Sequence, residues 1–156
     1  MEELGKSMFI ITTANGQVLK NKRELLNLWQ IHYNQTLKPK LLLKELDFVD
    51  NESRKDWENI ALPEGMCWGG ESGAYLLDGY LMPELFDIYT ELPSINLVKG
   101  KKVKFQKNGK IRLYRKFWTG DKNNKVAPKI LVYADLMGSG YSRCIEAAQR
   151  LFENSI

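Results

Sequence analysis

Apolar positions in this chain recur in short runs separated by paired turn residues, a pattern that predicts alternating strands and short helices. Met8 to Lys20 reads MFIITTANGQVLK. Two β-prone runs flank Asn15-Gly16, both tolerant of positive φ, and this predicts a hairpin. Asn21 is a candidate cap for a helix over residues 22–34, where Leu25, Leu28, Trp29 and His32 fall at helical spacing and Pro39 ends the segment. Residues 41–49 read as a strand with Leu41, Leu43, Phe48 and Val49 partly alternating. Asp50 is a candidate cap for a short helix over residues 52–60, with Trp57 and Ile60 inward.

Further on, residues 66–68 read as a short strand, 71–78 as a helix stopped by Gly79, 85–90 as a strand and 93–98 as a helical turn. Residues 103–106 and 110–117 read as the arms of a second hairpin around Asn108-Gly109. The apolar run 129–136, with Pro128 at a tolerated first-turn position, fits a buried strand or a buried helix equally well. Gly138-Ser139-Gly140 breaks it. Ser142 then caps a final helix with Ile145, Ala148, Leu151 and Phe152 on its apolar face. The fold class expected is α+β: a mixed or antiparallel sheet with hairpins, packed against several short helices and a C-terminal helix. Residues 1–21 are expected to be a separate hairpin and residues 22–156 the domain proper.

The chain has 156 residues, of which 44% are hydrophobic, enough for one core of ordinary size. No apolar run approaches the ~20 residues of a membrane helix, and Met1–Ser7 is no secretory signal. Cys67 and Cys144, at no metal-ligand spacing, read as reduced structural cysteines of a cytoplasmic protein.

The net charge is +4, but the charge is segregated. Glu45 to Glu91 contains twelve acidic residues and two basic ones, Arg54 and Lys55. Leu92 to Gly120 contains nine basic residues and no acidic one. Lys101, Lys102, Lys104, Lys107, Lys110, Arg112 and Arg115, interleaved with Phe105, Tyr114, Phe117 and Trp118, are candidates for contacting nucleic-acid phosphates. A solvated hairpin that resists edge pairing accounts for them as well.

Other chemistry is sparse. His32 is the only histidine, and a place on an apolar helix face makes it a core or boundary residue rather than a base. One histidine and two distant cysteines do not supply a zinc site. Glu45, Glu71 and Asp135 would serve a divalent-metal nuclease if they converged. Asp135, inside an apolar run, needs a partner such as a helix end or Arg143. Gly69-Gly70 precedes a helix, but Glu71 repels phosphate there and no P-loop lysine follows. The pair is read as a turn that lets Trp68 pack. No cofactor is indicated.

Several collinear patches carry a resemblance: ELLNLWQIHYNQTLKPKLLL, WGGESGAYLLDGYLMPELFDIYT, RKFW, and PKILVYADLMGSG with CIEAA. Most specific are Trp68, Gly69, Gly70 and Glu71 with Tyr80, Leu81, Pro83 and Glu84, and Pro128 with Val132 to Leu136, including Asp135. Together, from about Phe9 to Phe152, they resemble the AbiEi-like transcriptional regulators and antitoxins of type IV toxin–antitoxin systems. The resemblance implies an N-terminal winged helix-turn-helix that binds operator DNA, followed by a C-terminal α/β domain. It implies bacterial abortive infection, in phage defence or plasmid maintenance, and antagonism of a nucleotidyltransferase-like toxin without a stable complex. Residues 1–21 would then be the wing of a mostly absent winged helix, and residues 129–136 a helix. Two other readings stand beside it: the nuclease, and an interaction domain whose acidic stretch binds a basic toxin. A homodimer is compatible with each.

Overall fold

A computed structural model describes residues 18–119 and 124–156. Helix α1 (Val18–His32) passes into a π-helical turn (Tyr33–Leu37) and a short helix α2 (Lys38–Leu41). Strand β1 (Leu42–Phe48), helix α3 (Asn51–Lys55), a 3-10 turn (Trp57–Asn59) and strand β2 (Met66–Gly69) follow. Then come α4 (Gly70–Asp78), β3 (Phe86–Thr90), α5 (Ile95–Val98), β4 (Val103–Phe105), β5 (Ile111–Arg115), α6 (Lys129–Gly138) and α7 (Ser142–Ser155). The α+β class is as expected.

The five strands form one mixed sheet in the order β2-β3-β5-β1-β4. Leu46, Phe48, Trp68, Phe86, Ile88, Ile111 and Leu113 share one core with Trp57 and Leu97. Cys67, Tyr89 and Tyr114, on alternate strand positions, share a second core with α1, α6 and α7. Trp68 is buried, as expected, its ring 5.0 Å from Trp57 in an edge-to-face pair. Asp50 caps α3, accepting from the Ser53 amide at 2.7 Å. Gly79 ends α4 with φ +72°. The run 129–136 is helical and almost wholly buried.

Four expectations need correction. The hairpin over residues 8–20 lies largely outside the described residues, but Val18 to Lys20 already belong to α1, so Asn21 is not a cap. The buried stripe is Leu26, Trp29 and Gln30 of α1 with Tyr33 of the π turn, while Leu28 is 66% exposed and His32 faces solvent. Pro39 does not end the segment. It sits in the first turn of α2, where its missing N–H costs nothing. Ser142 is the first residue of α7 rather than its side-chain cap.

The largest correction concerns the second hairpin. β4 and β5 do not pair. β1 lies between them, antiparallel to both, with Phe48↔Val103 on one side and Leu46↔Ile111 on the other. The chain therefore follows β1 down one edge, crosses it through residues 106–110, and continues along the opposite edge. At the crossing, Gln106 donates to the Glu45 carbonyl. Gly109 passes so close to the Leu46 carbonyl that a Cβ there would overlap it. Asn108 supplies the left-handed turn, with φ +61°.

Candidate functional site

The segregated charges of the sequence interleave in space. Acidic β1 lies between basic β4 and β5, so Asp47 stands opposite Lys104 and Glu45 opposite Arg112. Across the parallel pair, Asp87 of β3 is in register with Arg112. Side chains directly opposite share a face. The seven predicted nucleic-acid contacts are all exposed, but they do not form one patch. Lys101, Lys102, Lys104 and Lys107 lie on β4 and its flanking loops, at the edge of the sheet, whereas Lys110 ends the crossing beside β3, its carbonyl accepting from the Phe86 amide. Arg112 lies over the middle strands and lines a cleft. Arg115 is exposed at the far end of β5.

That cleft, about 410 Å³, opens over a buried cluster of ions and hydroxyls. The π turn builds it. In an α-helix, the residue five beyond Tyr33 lies about 140° round the axis. The wider turn, closed by the Lys38 amide on the Tyr33 carbonyl, returns Lys38 toward the same side. Asn34 fastens the turn to α6, donating to the Ala134 carbonyl at 2.8 Å.

Lys38 Nζ donates to Asp135 Oδ1 at 2.8 Å and to Asp87 Oδ2 at 3.0 Å. Asp135, whose side chain is 1% exposed, also accepts from the Gly70 amide at 3.1 Å and from the Tyr89 hydroxyl at 2.9 Å. Because Tyr89 spends its proton on Asp135, the 2.7 Å contact between Tyr33 and Tyr89 has Tyr33 as donor. Gly70 has φ +54°, and a Cβ there would come within 2.7 Å of Asp87 Oδ2. The Gly69-Gly70 turn thus lets the backbone reach the carboxylates, besides seating Trp68.

Burial works against the Lys38 ammonium, but Asp135 and Asp87 override it and hold its pKa well above the usual lysine value. Burial raises Asp135 despite Lys38. Burial, then the Asp135 charge, also raises Tyr33 and Tyr89. Burial pushes the Cys67 thiol up to about 11, so it is an inert core group.

Glu71 is buried beside this cluster but has its own partner. It accepts from Arg143 Nη2 at 2.5 Å and from the Glu84 amide at 3.0 Å. Arg143 also reaches Glu84 at 2.9 Å. The strap from Gly79 to Leu85 is thereby tied to α7, aided by Tyr80, which donates to Glu146 at 2.9 Å. Tyr80 is half exposed and Pro83 partly buried within the strap. Arg143, considered from sequence as a partner for Asp135, belongs to Glu71 instead. The helix end was the correct alternative.

The carboxylates of the nuclease reading do not converge. Asp135 and Glu71 border the cleft with separate partners, and Glu45 lies outside it in a shallow hollow beside Phe105. Among the described residues, no group of three or more His, Cys, Asp or Glu side chains could hold a metal ion. Sequence reasoning missed Lys38, Asp87, Tyr33 and Tyr89. The available signal was FDIYT itself, a strand whose Asp87 and Tyr89 alternate with apolar neighbours.

The class defined so far is an α+β domain with a crossed mixed sheet, a buried ion cluster and an exposed lysine edge. The chain belongs to the family described as "Transcriptional regulator, AbiEi antitoxin, Type IV TA system", whose model matches residues 17–156. It is therefore a regulator or antitoxin of the type IV kind. No curated protein and no solved structure matches the chain. No helix among the described residues is long and apolar enough to cross a membrane.

Proposed function

We propose that this chain is the C-terminal regulatory part of such an antitoxin, working in the bacterial cytoplasm by binding rather than by catalysis. Its lysine edge contacts the DNA backbone and helps repress the operon in a phage-defence or plasmid-maintenance locus. It antagonises a nucleotidyltransferase-like toxin without holding it in a stable complex. The observation that carries the reading is the family match across nearly the whole chain. The lysine edge supports the DNA contact: Lys101, Lys102, Lys104 and Lys107 are exposed, as is Lys110 at the end of the crossing, and none makes an ion pair among the described residues. The engagement of Glu71 and Asp135 by separate partners supports a non-catalytic role.

Two assays in cells test this: a reporter under the operon's promoter, and growth under expression of the neighbouring toxin. The chain should lower the reporter and restore growth. Replacing Lys102, Lys104, Lys107 and Lys110 by Ala should relieve repression while leaving the protein folded. Failure of the parent in both assays, or magnesium-dependent cleavage of DNA that is lost in Asp135→Asn, would overturn the reading. A second reading draws on the hollow of about 620 Å³ that includes Asp50, Glu52 and Asp56. It takes the acidic face as a seat for a basic toxin, and co-elution with the toxin on gel filtration would favour it.

A further inference from the structure

We propose that the cleft over the Lys38 cluster binds a phosphate monoester carried on a planar ring. The ligand would be a nucleoside 5′-monophosphate or the 5′-phosphorylated end of a nucleic-acid strand. This site is separate from the lysine edge and does not depend on it.

The cleft's volume of about 410 Å³ suits a small ligand. Its floor carboxylates are already spent on holding a cation, since Asp87 and Asp135 both grip Lys38. An ammonium has three N–H donors and Lys38 commits two of them. The ammonium also lies over the Tyr114 ring, 4.9 Å from its centre, and the side chain keeps 15% exposure where it lines the cleft. Arg112, two residues before Tyr114 on the same strand face, borders the same space. The strand register sets it between Asp87 and Glu45, yet among the described residues no carboxylate lies within ion-pair distance of its guanidinium. Its planar fork is flanked by acidic neighbours, and its side-chain partner is the Tyr114 hydroxyl rather than a carboxylate.

Three features select the ligand. Donors arrive from different elements, Lys38 from α2 and Arg112 and Tyr114 from β5. That spread suits the three oxygens of a tetrahedral phosphate better than the two coplanar oxygens of a carboxylate. The formal charges of Lys38 and Arg112 cancel those of Asp87 and Asp135, while Glu71 shares Arg143 with Glu84, so the cleft carries no net positive charge. A cleft without net positive charge gains little from a polyphosphate, so directional bonds to one phosphate are what it offers. At the mouth, Leu42, Leu85 and the 55% exposed Tyr141 give a ring an apolar surface on which to lie.

Calorimetric titration and thermal melting with AMP, adenosine and inorganic phosphate test the proposal on the whole chain. AMP should bind and raise the melting temperature, and adenosine should bind at least about tenfold more weakly. Arg112→Ala should weaken AMP at least about tenfold, and Arg112→Lys should recover part of the loss. Both variants should melt like the parent, because Arg112 is exposed. Matched oligonucleotides with a 5′-phosphate or a 5′-hydroxyl identify the source. A 5′-phosphate preference that persists when the edge lysines are replaced assigns the site to a strand end, whereas AMP binding without that preference assigns it to a free nucleotide. No AMP binding at about 5 mM, equal binding of adenosine and AMP, or parent-like AMP affinity in Arg112→Ala would overturn the proposal.

Discussion

Lys38 and Lys104 each have an aspartate for a neighbour, and burial gives them different uses. Lys38 is gripped at 2.8 Å by a carboxylate that water barely reaches. Lys104 stands across from Asp47 on an exposed edge, and the pair makes no ion pair within 4 Å. A pair in bulk water is worth about 1 kcal/mol at 4 Å and is screened by salt, whereas the same charges gain several-fold as the local dielectric falls. Lys38 is therefore committed to the fold, joining the π turn, β3 and α6. Lys104 and its neighbours keep their charge available for exchange with a polyanion. A count of lysines along the sequence cannot separate these two populations. The strand order can.

The sharpest break in that comparison is at Lys38. Lys38→Met leaves Asp87 and Asp135 without their cation and should cost about 3–5 kcal/mol by chemical denaturation. The variant's remaining folded fraction should still bind DNA with the parent's salt dependence. The crossing of β1 is the next test. Gly109→Ala forces a methyl onto the Leu46 carbonyl and should cost about 1–3 kcal/mol, with β4 rather than α6 losing amide protection first.

Alkaline pH probes the cluster as a whole. Lys38, Tyr33 and Tyr89 all have folded pKa values raised above their unfolded ones. The unfolded chain therefore loses these protons first. Stability should be level through neutral pH and fall above about pH 10, by up to about 1.4 kcal/mol per pH unit for each group. A stability that rises above pH 10 would contradict the assignment. The smallest effect on stability belongs to the edge. Each of Lys102, Lys104, Lys107 and Lys110 replaced by Ala should change stability by no more than about 0.5 kcal/mol.

Much of the fold was legible because its signals are local. The Asp50 cap, the Gly79 stop, the strand around Trp68 and the last helix's apolar face each follow from a few adjacent residues. The failures were non-local. Asn108-Gly109 carries a hairpin signal, but Gly109 is there to pass over β1, a strand more than fifty residues earlier in the chain. The buried stripe of α1 was misplaced by one residue, and the π turn that follows it has no sequence mark. Periodicity left residues 129–136 open between strand and helix, and only the family resemblance favoured the helix. At the cluster, Asp135 was singled out for being polar within an apolar run. Lys38 escaped notice because its segment reads as surface, and Asp87 because its strand names no partner until the π turn and the parallel β3–β5 pair bring them together.

The central claim, that the exposed lysine edge is the part that meets DNA, is tested most directly by the salt dependence of duplex binding. Affinity of the chain for a fluorescent duplex would be measured across a salt series, for the parent and for the variant with Lys102, Lys104, Lys107 and Lys110 replaced by Ala. The parent should bind at low salt, and the variant's log–log slope should be shallower by up to about 3.6 units, about 0.9 for each phosphate contact removed. A variant with the parent's slope, or a parent that fails to bind duplex DNA at low salt, would contradict the account.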